Sequence, residues 1–214
     1  MKIAVIGCGR VGSTLGQAWS KMGHTIFYGV RNKESRRVKK LSEQKTVNSV
    51  LLPIHEAIEC SDIVLYAAPY EAASEALFGI DFGGRVLIDA TNPFKFTLKG
   101  LEGLQLGFDS SAAEEIQKIA DSARVVKAFN TVSSVMMKDP VINGAKADVY
   151  ICGDDPKAVS LVGNLAAELN FNPLLAGELI NARNIEPMAL MWTKMAMSGM
   201  GSEFLSKLIK REAE

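Results

Sequence analysis

The first dozen residues join an apolar run, Ile3-Ala4-Val5-Ile6, to Gly7-Cys8-Gly9-Arg10-Val11-Gly12 and then to apolar positions at helical spacing, Val11, Leu15, Trp19 and Met22. The order strand, G-x-G-x-x-G, helix constrains the fold more than the glycines alone. Gly7 allows the tight turn, Gly9 lets the backbone approach a pyrophosphate, and Gly12 permits close packing of helix on strand. The helix then turns its unpaired N–H groups and positive dipole end toward that phosphate. Dinucleotide binding by Gly7, Gly9, Arg10, Val11 and Gly12 is expected. The competing reading is a structural glycine turn in an ordinary α/β domain.

The second strand, His24-Thr25-Ile26-Phe27-Tyr28-Gly29, decides which dinucleotide. NAD-binding units place an Asp or Glu about 20 residues beyond the glycines, where it accepts the ribose 2′-hydroxyl. Here the first acid after the motif is Glu34, and the strand runs into Val30-Arg31-Asn32-Lys33. A carboxylate would repel a 2′-phosphate, whereas Arg31 can grip one through paired N–H donors. NADP(H) is therefore expected over NAD(H), with Arg31 reading the phosphate and Asn32 and Lys33 adding contacts. Arg36, Arg37, Lys39 and Lys40 read instead as a solvated basic helix face.

The 214 residues suffice for one substantial core, and the formal charge is zero. No broad electropositive field would recruit nucleic acid. No apolar stretch approaches the roughly 20 residues that span a bilayer, so no membrane partner is expected. The N-terminus enters a core strand directly, which argues against a signal peptide. Cys8, Cys60 and Cys152 lie far apart, and their odd number suggests reduced thiols and a cytoplasmic setting. Cys8 in the phosphate loop is either an acidified, oxidisable thiol or a small residue chosen for fit. With only His24 and His55, and neither at ligand spacing, no metal site is expected.

Further strands are expected near 46–51, 62–67, 85–89, 124–129, 147–152 and 173–175, with helices over 53–59, 71–77, 110–120 and 154–169. A long C-terminal helix follows, with Pro187 near its first turn. This alternation implies an α/β fold: a doubly wound parallel sheet of the Rossmann type, with a short C-terminal α/β extension ending in a long helix. Residues 1–140 form the dinucleotide-binding core of a single domain, and 141–214 an extension contributing to the acceptor site. The Gly-rich segment 99–108 reads as the longest irregular stretch and a lid. Met188, Met191, Trp192 and Met195 share one helical face, which reads chiefly as core filling, though such a face also suits a planar-ligand pocket or a homodimer interface. The Gly199–Gly201 stretch should weaken the helix and mark a bend.

Ligands gather beyond the carboxyl ends of parallel strands, which brings Gly7, Ala68, Pro69, Asn92, Pro93 and Asn130 to one rim. Asn92 and Asn130 offer donors and acceptors suited to a carboxamide, with turn formation as the alternative. Tyr70 is the candidate proton donor, with aromatic packing as the competing account. No Ser-His-Asp, Cys-His or paired-carboxylate constellation emerges. Hydride transfer between a nicotinamide and another redox ring needs mainly face-to-face positioning, which fits that pattern.

The segments Gly7–Gly12, Gly29-Val30-Arg31-Asn32, Asp89-Ala90-Thr91-Asn92-Pro93, Val126–Thr131 and Ile151–Asp155, with the C-terminal stretch from Leu175 to Leu205, carry a resemblance over nearly the full length. The chain resembles the NADP oxidoreductases dependent on the deazaflavin coenzyme F420, and also the oxidoreductase domain of the six-transmembrane metalloreductases. Its Gly-Cys-Gly loop and Phe129-Asn130-Thr131 are nearer the metalloreductase type. The resemblance implies that Arg31 binds the 2′-phosphate, that Pro69, Asn92 and Asn130 surround the nicotinamide, and that an acceptor ring stacks between this rim and the C-terminal helix. The implied activity is NADPH-dependent hydride transfer to F420 or to a flavin (FMN or FAD), with a small-molecule redox acceptor as partner. The alternatives are an NADPH sensor without turnover and a reductase of a small metabolite.

Overall fold

The strand Lys2–Ile6 (β1) lies at the centre of the sheet because Ile3 to Ile6 are apolar on both faces and almost wholly buried. The computed structural model describes residues 1–44 and 48–211. After β1 come Arg10–Lys21 (α1), Thr25–Gly29 (β2), Arg36–Gln44 (α2), Ser49–Leu52 (β3), Ile54–Glu59 (α3), Ile63–Tyr66 (β4), Ala73–Leu77 (α4) and Val86–Asp89 (β5). Then follow Phe94–Thr97 (β6), Gly100–Leu104 (β7), Ala112–Ile119 (α5), Arg124–Lys127 (β8), Val141–Ile142 (β9), Ala145–Lys146 (β10) and Asp148–Gly153 (β11). Pro156–Glu168 (α6), Asn172–Leu175 (β12) and Ala182–Met195 (α7) complete the order.

Among the described residues eight strands form one sheet in the order β12-β11-β8-β5-β4-β1-β2-β3. From β3 to β8 neighbouring strands are parallel. The chain order reverses between β1 and β4, which opens a crevice at their carboxyl ends. The extension continues this sheet. β11 pairs antiparallel with β8 and parallel with β12. Alternate residues of β1 face opposite cores: Ile3 and Val5 pack with Leu15 and Trp19 of α1, and Ala4 and Ile6 with Ala57 and Ile58 of α3. Trp19 also donates from Nε1 to the Leu165 carbonyl of α6 at 3.1 Å, tying the extension to the first helix.

Three expectations change. The segment expected as an irregular lid contains β7, which pairs with β6 in an antiparallel hairpin with a bulge between Lys95 and Phe96. Gln105 N–H donates to the Pro93 carbonyl at 2.7 Å and closes the base of that hairpin. The methionine face of α7 is not core filling: Met188, Met191 and Met195 are exposed, and the helix buries Ala182, Ile185, Glu186 and Ala189 instead. Ala182, Ile185 and Ala189, with Glu186 among them, turn inward, which leaves the methionines on the outer side of the helix. Pro187 sits well inside α7 rather than in its first turn. The expected bend is present, since α7 runs into a wide turn over Ala196–Met200 in which Gly199 takes a φ of 109°. The third strand spans Ser49–Leu52, and positions 46 and 47 of the expected segment lie outside the described residues. Among the described residues no helix is long and apolar enough to cross a membrane.

Candidate functional site

The glycine loop takes the shape that its spacing demands. Gly7 has a φ of +107°, and a Cβ there would lie 2.4 Å from the Ala68 nitrogen at the β4 exit. Gly12 is packed beneath the loop, where a Cβ would lie 2.0 Å from the Gly7 carbonyl oxygen. Gly9 differs: a Cβ there would meet nothing within 4 Å, so the space over the loop is open. Gly9 also caps α1 without a side-chain acceptor, and the first turn carries no acid. The helix amides therefore present an unneutralised positive end to that space.

A cavity of about 320 Å³ lies between this loop and the exits of β2 and β4. It brings together Gly7, Gly9, Arg31, Asn32, Ala68 and Pro69 from the expected set. Ser35 and Arg37 also line it, so the face read as merely solvated contributes a second cation. Arg31 Nη1 donates to Glu75 Oε2 of α4 at 2.6 Å. Asn32 Oδ1 accepts from the Glu34 N–H at 2.8 Å, which turns the chain toward α2. The cavity does not include Arg10, Val11, Gly12, Lys33, Asn92, Pro93 or Asn130. Arg10 and Lys33 are exposed, while Val11 packs against the core. Burial pushes the Cys8 thiol up to about 11, so the loop does not acidify it and the reading as a small fitted residue stands.

Asn92 and Asn130 meet beyond the ends of β5 and β8. Asn92 Nδ2 donates to the Asn130 carbonyl at 2.9 Å, and Asn130 Nδ2 donates to Asn92 Oδ1 at 3.0 Å. Phe129, just before Asn130, takes a left-handed φ of 67°. Its ring packs edge-on to Trp19 and Phe171 at 5.8 Å, and this packing holds a backbone conformation that side chains other than glycine rarely adopt. Asn130 Oδ1 and the Thr91 and Thr131 hydroxyls are buried with no partner among the described residues. Pro93 is buried, and its carbonyl accepts from Gln105 at the base of the hairpin. Tyr70 is half-buried, and burial together with the carboxylates of Glu115 and Glu186 raises its phenol above the ordinary value.

Behind this rim lies a cluster to which sequence reading assigned no role. Lys127 is fully buried and donates from Nζ to Asp89 Oδ2 at 2.8 Å, Glu186 Oε1 at 2.7 Å and the Thr91 carbonyl at 2.8 Å. Glu186, from α7, also accepts from the Ala112 and Ala113 N–H groups that open α5. Burial works against the Lys127 charge, but Asp89 and Glu186 outweigh it and hold its pKa above the ordinary value. Burial raises the Glu186 carboxyl, and the Lys127 charge acts against that rise. The one available signal was a charged residue at the end of each of two apolar strands, Asp89 and Lys127. The two histidines stand apart from both ends: His24 Nε2 pairs with Glu168 at 2.8 Å and His55 with Glu59 at 3.4 Å. Among the described residues no group of three His, Cys, Asp or Glu side chains is gathered as a metal site would require.

Residues 2–93 match the family model described as NADP oxidoreductase coenzyme F420-dependent. The chain is 27% identical to the F420-dependent NADP reductase of Methanocaldococcus jannaschii, over 87% of this chain and 88% of that protein. It is also 27% identical to Metalloreductase STEAP3 of Rattus norvegicus, over 88% of this chain but only 36% of that longer protein. A solved structure of a "putative F420-dependent NADP-reductase" from Arthrobacter sp. FB24 superposes with a TM-score of 0.85 at 24% identity, covering 98% of this chain and 100% of the other. That likeness establishes the fold. The resemblance drawn from the motifs is thus found again in the comparison over most of the chain, and the matching family model and the Methanocaldococcus jannaschii relative are both described as NADP-linked oxidoreductases or reductases.

Proposed function

We propose that this chain is an NADPH-dependent oxidoreductase that moves hydride between NADP(H) and a deazaflavin (F420) or flavin ring. The observation that carries this reading is the makeup of the cavity: an open glycine loop at a helix N-terminus, and Arg31 and Arg37 where the second strand ends. The residues present fit the cofactor. The loop admits no side chain at Gly7 or Gly12, yet leaves free volume above Gly9, as a backbone cradle for a pyrophosphate requires. Asn130 Oδ1 is a buried acceptor still lacking a donor, which suits a carboxamide N–H.

When bound, NADP(H) supplies or accepts the hydride. The α1 amides would hold the pyrophosphate, Arg31 and Arg37 the 2′-phosphate, with Asn32 and Ser35 adding hydrogen bonds. Pro69, Asn92 and Asn130 would orient the nicotinamide. The hairpin β6–β7 and α7 are joined by Lys194 Nζ donating to the Glu102 carbonyl at 3.0 Å, and together would form the wall that excludes water from an acceptor ring. A raised Tyr70 phenol is poorly suited to give up a proton, and Lys127 is enclosed by its carboxylates. Ring-to-ring transfer, which relies on positioning, is therefore favoured over reduction of a small carbonyl metabolite.

Mixing the protein with NADPH and either F420 or FMN, and following the loss of reduced-nicotinamide absorbance, tests the proposal. Turnover with at least one ring is expected. Tight NADPH binding without turnover on any ring acceptor would favour the sensor reading instead.

A further inference from the structure

The cavity wall opposite Arg31 carries an acid for which phosphate binding has no evident use. Ala72 and Ala76 line the cavity, and Glu75 of α4 reaches from the same wall to Arg31, with a 2.6 Å contact between Oε2 and Nη1. The side chains are 60% and 68% exposed, so the bridge stands at the solvent-facing mouth. Glu71, one turn earlier, is instead engaged by Gln105 of the hairpin. We infer that Glu75 is a specificity-determining residue that competes with the cofactor's 2′-phosphate for Arg31, and so narrows the preference for NADPH over NADH. The inference rests on the proposed reading of Arg31 as the phosphate-binding residue.

A phosphate grips a guanidinium best through two parallel N–H bonds, and the Glu75 carboxylate already occupies Nη1. Phosphate and carboxylate drawn to one guanidinium also repel each other. NADPH binding must therefore displace the bridge or tolerate that repulsion. NADH brings no phosphate, and the bridge can remain in place. Exposed ion pairs are weak, so the competition is modest and Arg31 stays able to exchange partners. Arg37 lines the same cavity and supplies a second cation during that exchange.

Calorimetric titration of NADPH and NADH into the wild type, Glu75→Gln, Arg31→Ala and the double variant tests this. Both residues are exposed, so all four proteins should fold, which thermal melts would verify. Glu75→Gln should bind NADPH about two- to fivefold more tightly, in keeping with the strength of an exposed pair. Its NADH affinity should stay within about twofold of the wild type, and the NADPH gain should vanish when Arg31 is already Ala. Unchanged or weaker NADPH binding by Glu75→Gln would overturn the inference, because the carboxylate would then be idle or holding the guanidinium ready. An equal gain without Arg31 would overturn it too, by exposing a general field effect. If Arg31→Ala alone leaves NADPH affinity unchanged, the phosphate reading itself fails and the inference falls with it.

Discussion

The two ends of the rim handle charge in opposite ways. At the Arg31 end the ionic groups are exposed, the bridge to Glu75 is solvated, and the open space lies above a bare glycine. At the Asn92–Asn130 end an ammonium and two carboxylates are wholly enclosed and fully engaged with one another and with backbone. Solvated charges can change partners at little cost, which suits a surface that must receive and release a phosphate. Buried charges cannot, because each has lost several kcal/mol of hydration that only its present partners offset, an amount comparable to the stability of a whole domain. The first region is built for exchange and the second for fixed geometry. The Lys127 cluster ties β5, β8, α5 and α7 together directly behind the two asparagines.

That contrast can be broken most forcefully at Lys127. Lys127→Met leaves Asp89 and Glu186 buried without a counter-charge and should cost about 3–5 kcal/mol in urea unfolding. A loss below about 1 kcal/mol would mean that the cluster is not a fixed structural tie. Gly9→Ala tests the other end, since its methyl would meet only open space in the protein yet hold a phosphate away from the α1 amides. Stability should stay within about 0.5 kcal/mol of the wild type. NADPH affinity should fall about tenfold, as for loss of a charge-assisted hydrogen bond. Destabilisation with unchanged affinity would reverse the roles assigned to the two regions.

The smallest effect concerns a second tie of α7. Arg183 Nε and Nη2 donate to both Glu114 carboxylate oxygens, at 2.7 to 3.2 Å, and hold that carboxyl below its ordinary value of 4.5. A depressed folded-state pKa contributes stability that is complete above the unfolded value and is lost as pH falls through the folded one. Unfolding free energies measured in steps below pH 4.5 should therefore decline less steeply for Glu114→Gln than for the wild type. Parallel pH profiles would show that the pair contributes nothing.

What was legible from residues alone divides along the same line. β1, β4 and β5 announced themselves as continuous apolar runs because they are buried on both faces. Ser111 and Asp155 accept from the N–H groups of Glu114 and Ala158, and these local caps made α5 and α6 readable. The glycine loop was equally local. The Lys127 cluster was not, because its partners lie 38 and 59 residues away in sequence and only the folded sheet unites them. The hairpin was hidden by glycines that read as irregular, although Phe94 and Phe96 already alternate across the strand as a pleat requires. The methionine stripe misled because helical spacing reports a face without saying which way it turns. Here Ala182, Ile185, Glu186 and Ala189 made an equally regular face, and a buried glutamate gave no apolar signal for it. Arg37 was missed because nothing in the order of residues shows α2 folding its first turn back toward the cavity.

If a guanidinium at the end of β2 selects the phosphorylated dinucleotide, titration of NADPH and NADH into the wild type and Arg31→Ala must show it. The wild type should clearly prefer NADPH, and the substitution should lower NADPH affinity by at least about tenfold while NADH binding barely changes. Equal losses for both nucleotides, or no loss for either, would contradict that selection.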